Sequence, residues 1–335
     1  MALETAIVYQ VFNRPELTRR SFAVIAAARP TRLFVLADGP RWDADRPACA
    51  EVREIVSAVD WDCDVEFLFS DVNLGCRARV TSGFERVFSV VDEMIFVEDD
   101  VVPDPSFFPY CEALLAHYRD DPTVFMVCAS NYLQEWRADA RDYHLSRIGS
   151  PWGFGTWKRA WAHYTERLDA WTDPGRRERI RALLDDDLVF GYEADRFDGL
   201  ASDPDYDHGE RRPGQAPKGA WDLHWLLTRL DRGGRCVVPS RNLAENIGHR
   251  DGLGVPPDHP IATLVAQAAS LPVRFHDDPV DREYDRRHVA RQLGFTTAGA
   301  VPTAGAPRAE LRRIVPRRVR SLARRIGRRT RGAGP

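Results

Sequence analysis

Lysine is almost missing from this chain: of its 47 basic residues only Lys158 and Lys218 are lysines, so arginine carries nearly all the positive charge. We read that as a coding bias rather than a functional signal. Apolar runs approaching the roughly 20 residues needed to cross a bilayer are also missing. The opening "MALETAIVYQ" has no basic stretch leading into an apolar one, so a soluble chain without a signal peptide is expected. The six cysteines (Cys49, Cys63, Cys76, Cys111, Cys128 and Cys236) never form a CxxC pair. Their scatter through apolar segments excludes metal-ligand spacing and predicts reduced, core-filling thiols of a cytosolic protein. No internal repeat is present, which excludes a solenoid or propeller.

What is present is enough material for one large α/β domain or two packed lobes: 335 residues, 44% of them hydrophobic and 29% charged. The net charge of −3 hides an asymmetry. The segment 308–335 holds 11 arginines against one acid, Glu310, which leaves −13 on the rest. Its Val319, Leu322, Ala323 and Ile326 fall at helical spacing among arginines. The tail therefore reads either as a basic amphipathic helix suited to an anionic membrane surface or as a disordered arginine-rich segment. Nothing else in the chain points to nucleic acid.

Along the first 130 residues, short and continuously apolar strands alternate with helical periodicity. "TAIVYQVF" (5–12), "RLFVLADG" (32–39), "DVEFLFSD" (64–71), "EMIFVEDD" (93–100) and "TVFMVCAS" (123–130) are the strands, and helices are expected from 16, around 48–59, after "NLGCR", and over about 106–118. That pattern predicts a mostly parallel sheet flanked by helices. Polar residues gather where the strands stop: Asn13 and Arg14, Asp38, Asp71 and Asn73, Glu98 to Asp100, Ser130 and Asn131. In open α/β sheets this edge carries the ligand crevice. Beyond 131 the alternation fades. Helices are expected near 157–171 and 175–190, a polar loop near 198–219, a helix in "AWDLHWLLTRLDRG" and a strand in "RCVVPS". The expected divisions are 1–130, a second lobe at 131–255, a peripheral extension at 256–307 and the tail at 308–335.

The sharpest feature is "MIFVEDDVVPDPSFF", where an apolar strand runs into Glu98, Asp99 and Asp100. Adjacent carboxylates repel, and a cation relieves the cost; carboxylates are hard donors suited to Mg²⁺ or Mn²⁺. Alternation along a strand turns Glu98 and Asp100 one way and Asp99 the other. A solvated acidic loop is the competing reading of the same letters. In the later half, Asp222 in "KGAWDLHWLL" stands at or near a helix start, where capping or pairing with the helix dipole is the plain reading of an aspartate.

"IFVEDDVVPDPSFFPYCEALLAHYRDDP", together with "VFNRPELTRRSF", "LADGPR", "NLGCRARVTSGFERVF" and "NLAENIGHRDG", resembles the GT-A glycosyltransferases. The likeness is greatest to bacterial nucleotide-diphospho-sugar transferases related to N-acetylglucosaminyltransferase I, and it spans roughly residues 5–255. The resemblance implies a GT-A (Rossmann-like) sheet with a fused acceptor lobe, and transfer of a sugar from a nucleotide diphosphate to a glycan or lipid-linked acceptor. It implies Mn²⁺ or Mg²⁺ on Asp100. Arg14, Asp38, Asn73, Gly75, Arg77, Glu98 and Asp99 would contact the donor, and Asp222 would be the base of an inverting displacement. His249 falls where some relatives place a late metal-binding histidine, although "NIGHRD" departs from their aromatic-glycine pattern. Trp152 and Trp221 are the acceptor-side aromatic candidates. The implied location is cytoplasmic, with the tail as a peripheral membrane contact. Two other functions fit the same fold. A sugar-phosphate nucleotidyltransferase needs a glycine-rich basic loop after the first strand, which "VFNRPEL" lacks. A non-catalytic nucleotide- or glycan-binding protein has no need of both the acidic triplet and Asp222.

Overall fold

The computed structural model describes residues 3–203, 221–251, 256 and 258–295. The tail at 308–335, most of the expected polar loop with His208, and residues 296–307 lie outside the described residues. The elements in chain order are β1 (Ala6–Val11), α1 (Pro15–Ala28), β2 (Arg32–Ala37), α2 (Arg46–Ser57), β3 (Asp64–Phe69), α3 (Cys76–Phe88), β4 (Glu93–Glu98), β5 (Val101–Pro103), α4 (Phe107–His117) and β6 (Val124–Cys128). They continue with β7 (Tyr143–Ser146), β8 (Phe154–Trp157), α5 (Lys158–Trp161), α6 (Asp169–Thr172), α7 (Pro174–Leu184), α8 (Asp187–Ala201), α9 (Trp221–Asp231), β9 (Arg235–Pro239), β10 (Ala244–Asn246) and α10 (Arg282–Gln292).

Eight strands form one sheet in the order β3-β2-β1-β4-β8-β6-β9-β7. The pairs β3–β2, β2–β1, β1–β4 and β6–β9 are parallel, while β8 runs antiparallel to both β4 and β6 and β7 antiparallel to β9. Six strands therefore point the same way, and the expected mostly parallel α/β sheet is observed. Ile7, Val8, Leu33 to Leu36 and Met94 to Val97 are buried, as strands covered on both faces require. Pro15 opens α1, where its fixed φ suits a helix and its missing N–H costs nothing. Helix α2 buries Cys49, Val52 and Val56, one face at helical spacing.

The expected division at 131 does not divide the sheet. Strands β7, β8 and β9 all come from beyond it, and β8 inserts between β4 and β6. One core cluster runs from Leu3 to Tyr284, and a satellite core joins Ile148, Trp171, Phe190, Phe197, Leu227 and Val289 under α7, α8 and α9. Within the expected extension, α10 buries Tyr284, Asp285, His288 and Val289, so this helix is an integral part of the fold rather than a peripheral one. All six cysteines are free, and four of them are buried. No helix among the described residues is long and apolar enough to cross a membrane.

Candidate functional site

Parallel pairing brings the carboxyl ends of β1, β2, β4 and β6 to one edge of the sheet. The backbone leaves β1 through Phe12 and Asn13 and turns into α1 at Arg14, directly beside the end of β4, because Gln10 pairs with Glu98. The Arg14 guanidinium thus meets the acidic triplet. It pairs with Asp99 through Nη2 and Nε, and with Asp100 Oδ2 through Nη1 at 3.0 Å. Burial works against the arginine's charge, but Asp99 and Asp100 outweigh it and hold the pKa above its usual range. Burial raises Asp99 to about 6, with Arg14 pulling the other way. Glu98 is pushed well above the carboxylate range by burial and by the charges of Asp100 and Asp222. Side-chain exposure separates the two aspartates: 4% for Asp99 and 19% for Asp100. Asp99 is also fixed through its carbonyl, which accepts from Ser21 Oγ at 2.9 Å. Asp100 is therefore the aspartate of the triplet that meets solvent.

Asp38, at the end of β2, organises the neighbouring loop. Its carboxylate accepts from the backbone N–H groups of Gly39 (2.9 Å), Leu74 (2.8 Å) and Gly75 (3.0 Å), and from Asn73 Nδ2 (3.1 Å). Burial raises its pKa, and the backbone donors of Leu74, Gly39 and Gly75 offset part of the rise. The loop then enters α3 through Gly75 at φ 78°, a left-handed conformation that costs glycine nothing. Asp38, Asn73 and Gly75 form one hydrogen-bonded unit at the crevice edge, in which Asp38 spends its acceptors on the loop. Arg77 departs from expectation. Its side chain is buried, with Nε 3.7 Å from Glu166 Oε2, so it supports α3 from within rather than lining an open crevice.

Helix α9 supplies the fourth carboxylate. Trp221 is only 3% exposed and packs against Phe96 (5.6 Å between ring centroids), Phe154 (5.8 Å) and Phe84 (6.2 Å). The ring expected to face an acceptor is therefore core, and it pins the start of α9 onto β4, β8 and α3. Asp222, the next residue, is in the first turn, where the helix dipole favours a negative charge. Its charge reaches Glu98, Cys76, Arg196, Glu193 and Tyr132. The sequence reading missed Glu193 and Arg196. Glu193 is buried and accepts from Arg196 Nη1 at 2.8 Å. The signal was present: Phe190, Ala194 and Phe197 mark the buried face of α8, with Glu193 and Arg196 one turn apart.

The chain returns to the triplet through β10, which pairs antiparallel with β5 so that Asn246 opposes Val101. Ile247 N–H donates to the Asp100 carbonyl at 2.8 Å. Gly248 then packs so close to Asp100 that a Cβ would lie 2.5 Å from Oδ2. The buried His249 ring follows, 4.9 Å from the Trp152 ring, which also packs on Tyr132 at 4.8 Å. Trp152 is partly exposed, as a crevice wall requires. Among the described residues no three His, Cys, Asp or Glu side chains stand in a group that could hold a metal ion.

No protein-family model matches the sequence. No curated protein matches it either. Among solved structures, one similar chain is the crystal structure of UDP-glucose pyrophosphorylase complexed with UDP-glucose, at 9% identity and a TM-score of 0.35, covering 74% of this chain and 95% of that one. A likeness that distant bears on neither activity nor ligand.

Proposed function

We propose that this crevice binds a nucleotide-diphosphate sugar with a divalent cation and transfers the sugar, with inversion, to a glycan or lipid-linked acceptor. The observation that supports this is the convergence of Arg14, the Glu98–Asp100 triplet and Asp222 at the carboxyl-end edge of one mostly parallel sheet. Four carboxylates there face few cations, Arg14 and Arg196 among them, so the ligand that suits the site brings positive charge with it. A Mg²⁺- or Mn²⁺-type ion takes one or two carboxylates and completes its shell with water and phosphate, so it needs no protein cage. Asp100, more exposed than Asp99, fits that demand. The bound cation would supply positive charge beside the departing diphosphate.

The protein's own groups divide the remaining work. Arg14 offers a planar fork to phosphate oxygens, which compete with Asp99 and Asp100 for it. Glu98 and Asp99 are the carboxyl groups offered to sugar and ribose hydroxyls, Asp99 once phosphate has drawn Arg14 away from it. Asp222 takes the proton of the acceptor hydroxyl. The new bond joins that oxygen to the anomeric carbon, the bond from that carbon to the diphosphate breaks, and the nucleoside diphosphate leaves with the electron pair. Attack opposite the leaving group inverts the centre. Trp152 walls the acceptor side. A nucleotidyltransferase reading has less support, because the turn after β1 is Phe12-Asn13-Arg14-Pro15, with one cation and no glycine to cradle a triphosphate. Calorimetric titration with UDP, GDP and related nucleoside diphosphates tests the proposal. At least one is expected to bind with Mn²⁺ present and to weaken with EDTA; failure of all of them with metal present would sink it.

A further inference from the structure

The opposite rim of the sheet carries a cavity of about 310 Å³, where β7 ends and β9 begins. It is lined by Arg147, Arg235, Arg282, Asp285, the last leucines of α7 (Leu183 and Leu184), and Pro279 and Val280. Because β9 is parallel to β6 and starts at Arg235, this is the amino-terminal edge, away from the acidic triplet.

Three arginines share this small space, and each commits only one guanidinium nitrogen to the protein. Arg147 Nη1 donates to the carbonyls of Gly233 (2.5 Å) and Gly234 (3.2 Å). Arg235 Nη2 donates to Asp121 Oδ2 at 2.9 Å. Arg282 Nη1 pairs with Asp185. The other nitrogens have no protein partner among the described residues, and Arg235 Nε is buried in that state. A buried donor left without an acceptor is destabilising, so an acceptor there is favoured. Burial and the neighbouring charges of Arg235 and Arg282 lower the Arg147 pKa, and Asp285 offsets part of that. The one carboxylate in the lining is already spent: Asp285 accepts from Ser146 Oγ (2.5 Å) and from the Arg147 backbone N–H (3.1 Å). Burial also raises Asp285 to about 7, which reduces the negative charge it presents. The chemistry left over is a set of guanidinium donors seeking oxyanion oxygens, beside an apolar wall.

We propose that this cavity is a second ligand site, for a small phosphate-class oxyanion held by Arg147, Arg235 and Arg282. It does not depend on the transferase reading. The test is calorimetric titration of the full chain with inorganic pyrophosphate in EDTA at constant ionic strength, which removes any cation-assisted binding at the acidic crevice. Pyrophosphate is expected to bind the wild type, to bind Arg235→Gln and Arg282→Gln each about tenfold or more weakly, and to bind Arg46→Gln, an exposed arginine outside both sites, unchanged. The exposed Arg282 makes its variant safe for folding. No binding by the wild type, undiminished binding in either cavity variant, or an equal loss of binding in Arg46→Gln would each overturn the proposal, the last by showing a general charge effect rather than a site.

Discussion

The two halves of the sheet use polar residues in opposite ways. In β1, β2 and β4 the fully buried residues are apolar, and the acids of the candidate site stand where β2 and β4 stop, at Asp38 and at Glu98 to Asp100. From β6 to β7 the polar groups sit inside: His144 on β7, Cys128 and Cys236 on β6 and β9, Arg229 on α9, and Asp285 and His288 on α10 are all buried. In the first half, Glu98 and Asp100 stand half-buried at the rim, where a ligand can reach them. In the second, these interior groups, unlike the arginines of the amino-terminal edge, are enclosed by protein and set how the fold responds to pH. The difference predicts that lesions at the rim change binding and chemistry, while lesions in the interior change stability alone.

The largest stability effect at the rim is expected from Arg14→Ala, because it strands Asp99 without its cation. The cost is about 2–3 kcal/mol at pH 8, toward the low end for a broken buried pair because the Arg14 side chain is 27% exposed. The sign with pH follows from Asp99, whose folded pKa of about 6 lies above its unfolded value. Its contribution is fully present at low pH and is lost as pH rises through 6, so the deficit of the variant should shrink at pH 5, where Asp99 holds a proton. Urea unfolding at the two pH values measures this. An equal deficit at both would show that Asp99 is not the stranded group.

A smaller effect, confined to the interior, is expected from His144. Its ring packs 4.0 Å from Tyr284, and its nitrogens have no hydrogen-bond partner among the described residues. Burial lowers its pKa to about 3, and the same cause lowers His288 to about 3. Both are neutral when folded and protonated when unfolded below about 6.5. Each therefore stabilises fully above that pH and costs about 2 kcal/mol by pH 5. Asp285 runs the other way: with a folded pKa of about 7, its contribution is present in acid and is lost as pH rises through 7. His144→Leu should halve the histidine part of the acid loss between pH 7 and pH 5 without altering nucleotide binding. Thermal melts across that range read it, and an unchanged acid slope would rule out His144 as a source.

The same contrast explains what the sequence could disclose. Strands β1 to β4, β6 and β9 and the helices between the early strands are visible because each is a local pattern: an apolar run or a helical period, cut by proline, glycine or a polar pair. The acidic triplet is visible because three carboxylates after an apolar run are costly without a reason. Strand β8, only Phe154–Trp157, is invisible because its place depends on antiparallel partners about 30 to 60 residues earlier in the chain. Helix α10 reads as solvated because "REYDRRHVARQ" is mostly charged, yet Asp285 and Arg286 are buried against Ser146 and Asp186. Trp221 and Arg77 have the chemistry of ligand-facing groups, but packing turns them inward. That choice is made by Phe84, Phe96, Phe154 and Glu166, which are distant in the sequence.

The central claim is that Asp222 performs base chemistry beside a donor held by the acidic triplet. Hydrolysis of a panel of nucleotide sugars with Mn²⁺ tests it directly, run on the wild type and on Asp222→Asn with donor affinity measured in parallel. The account predicts that the wild type turns over at least one donor, and that the variant binds that donor with unchanged affinity but turns it over about 10²–10⁴-fold more slowly. Equal turnover by the two proteins would contradict it.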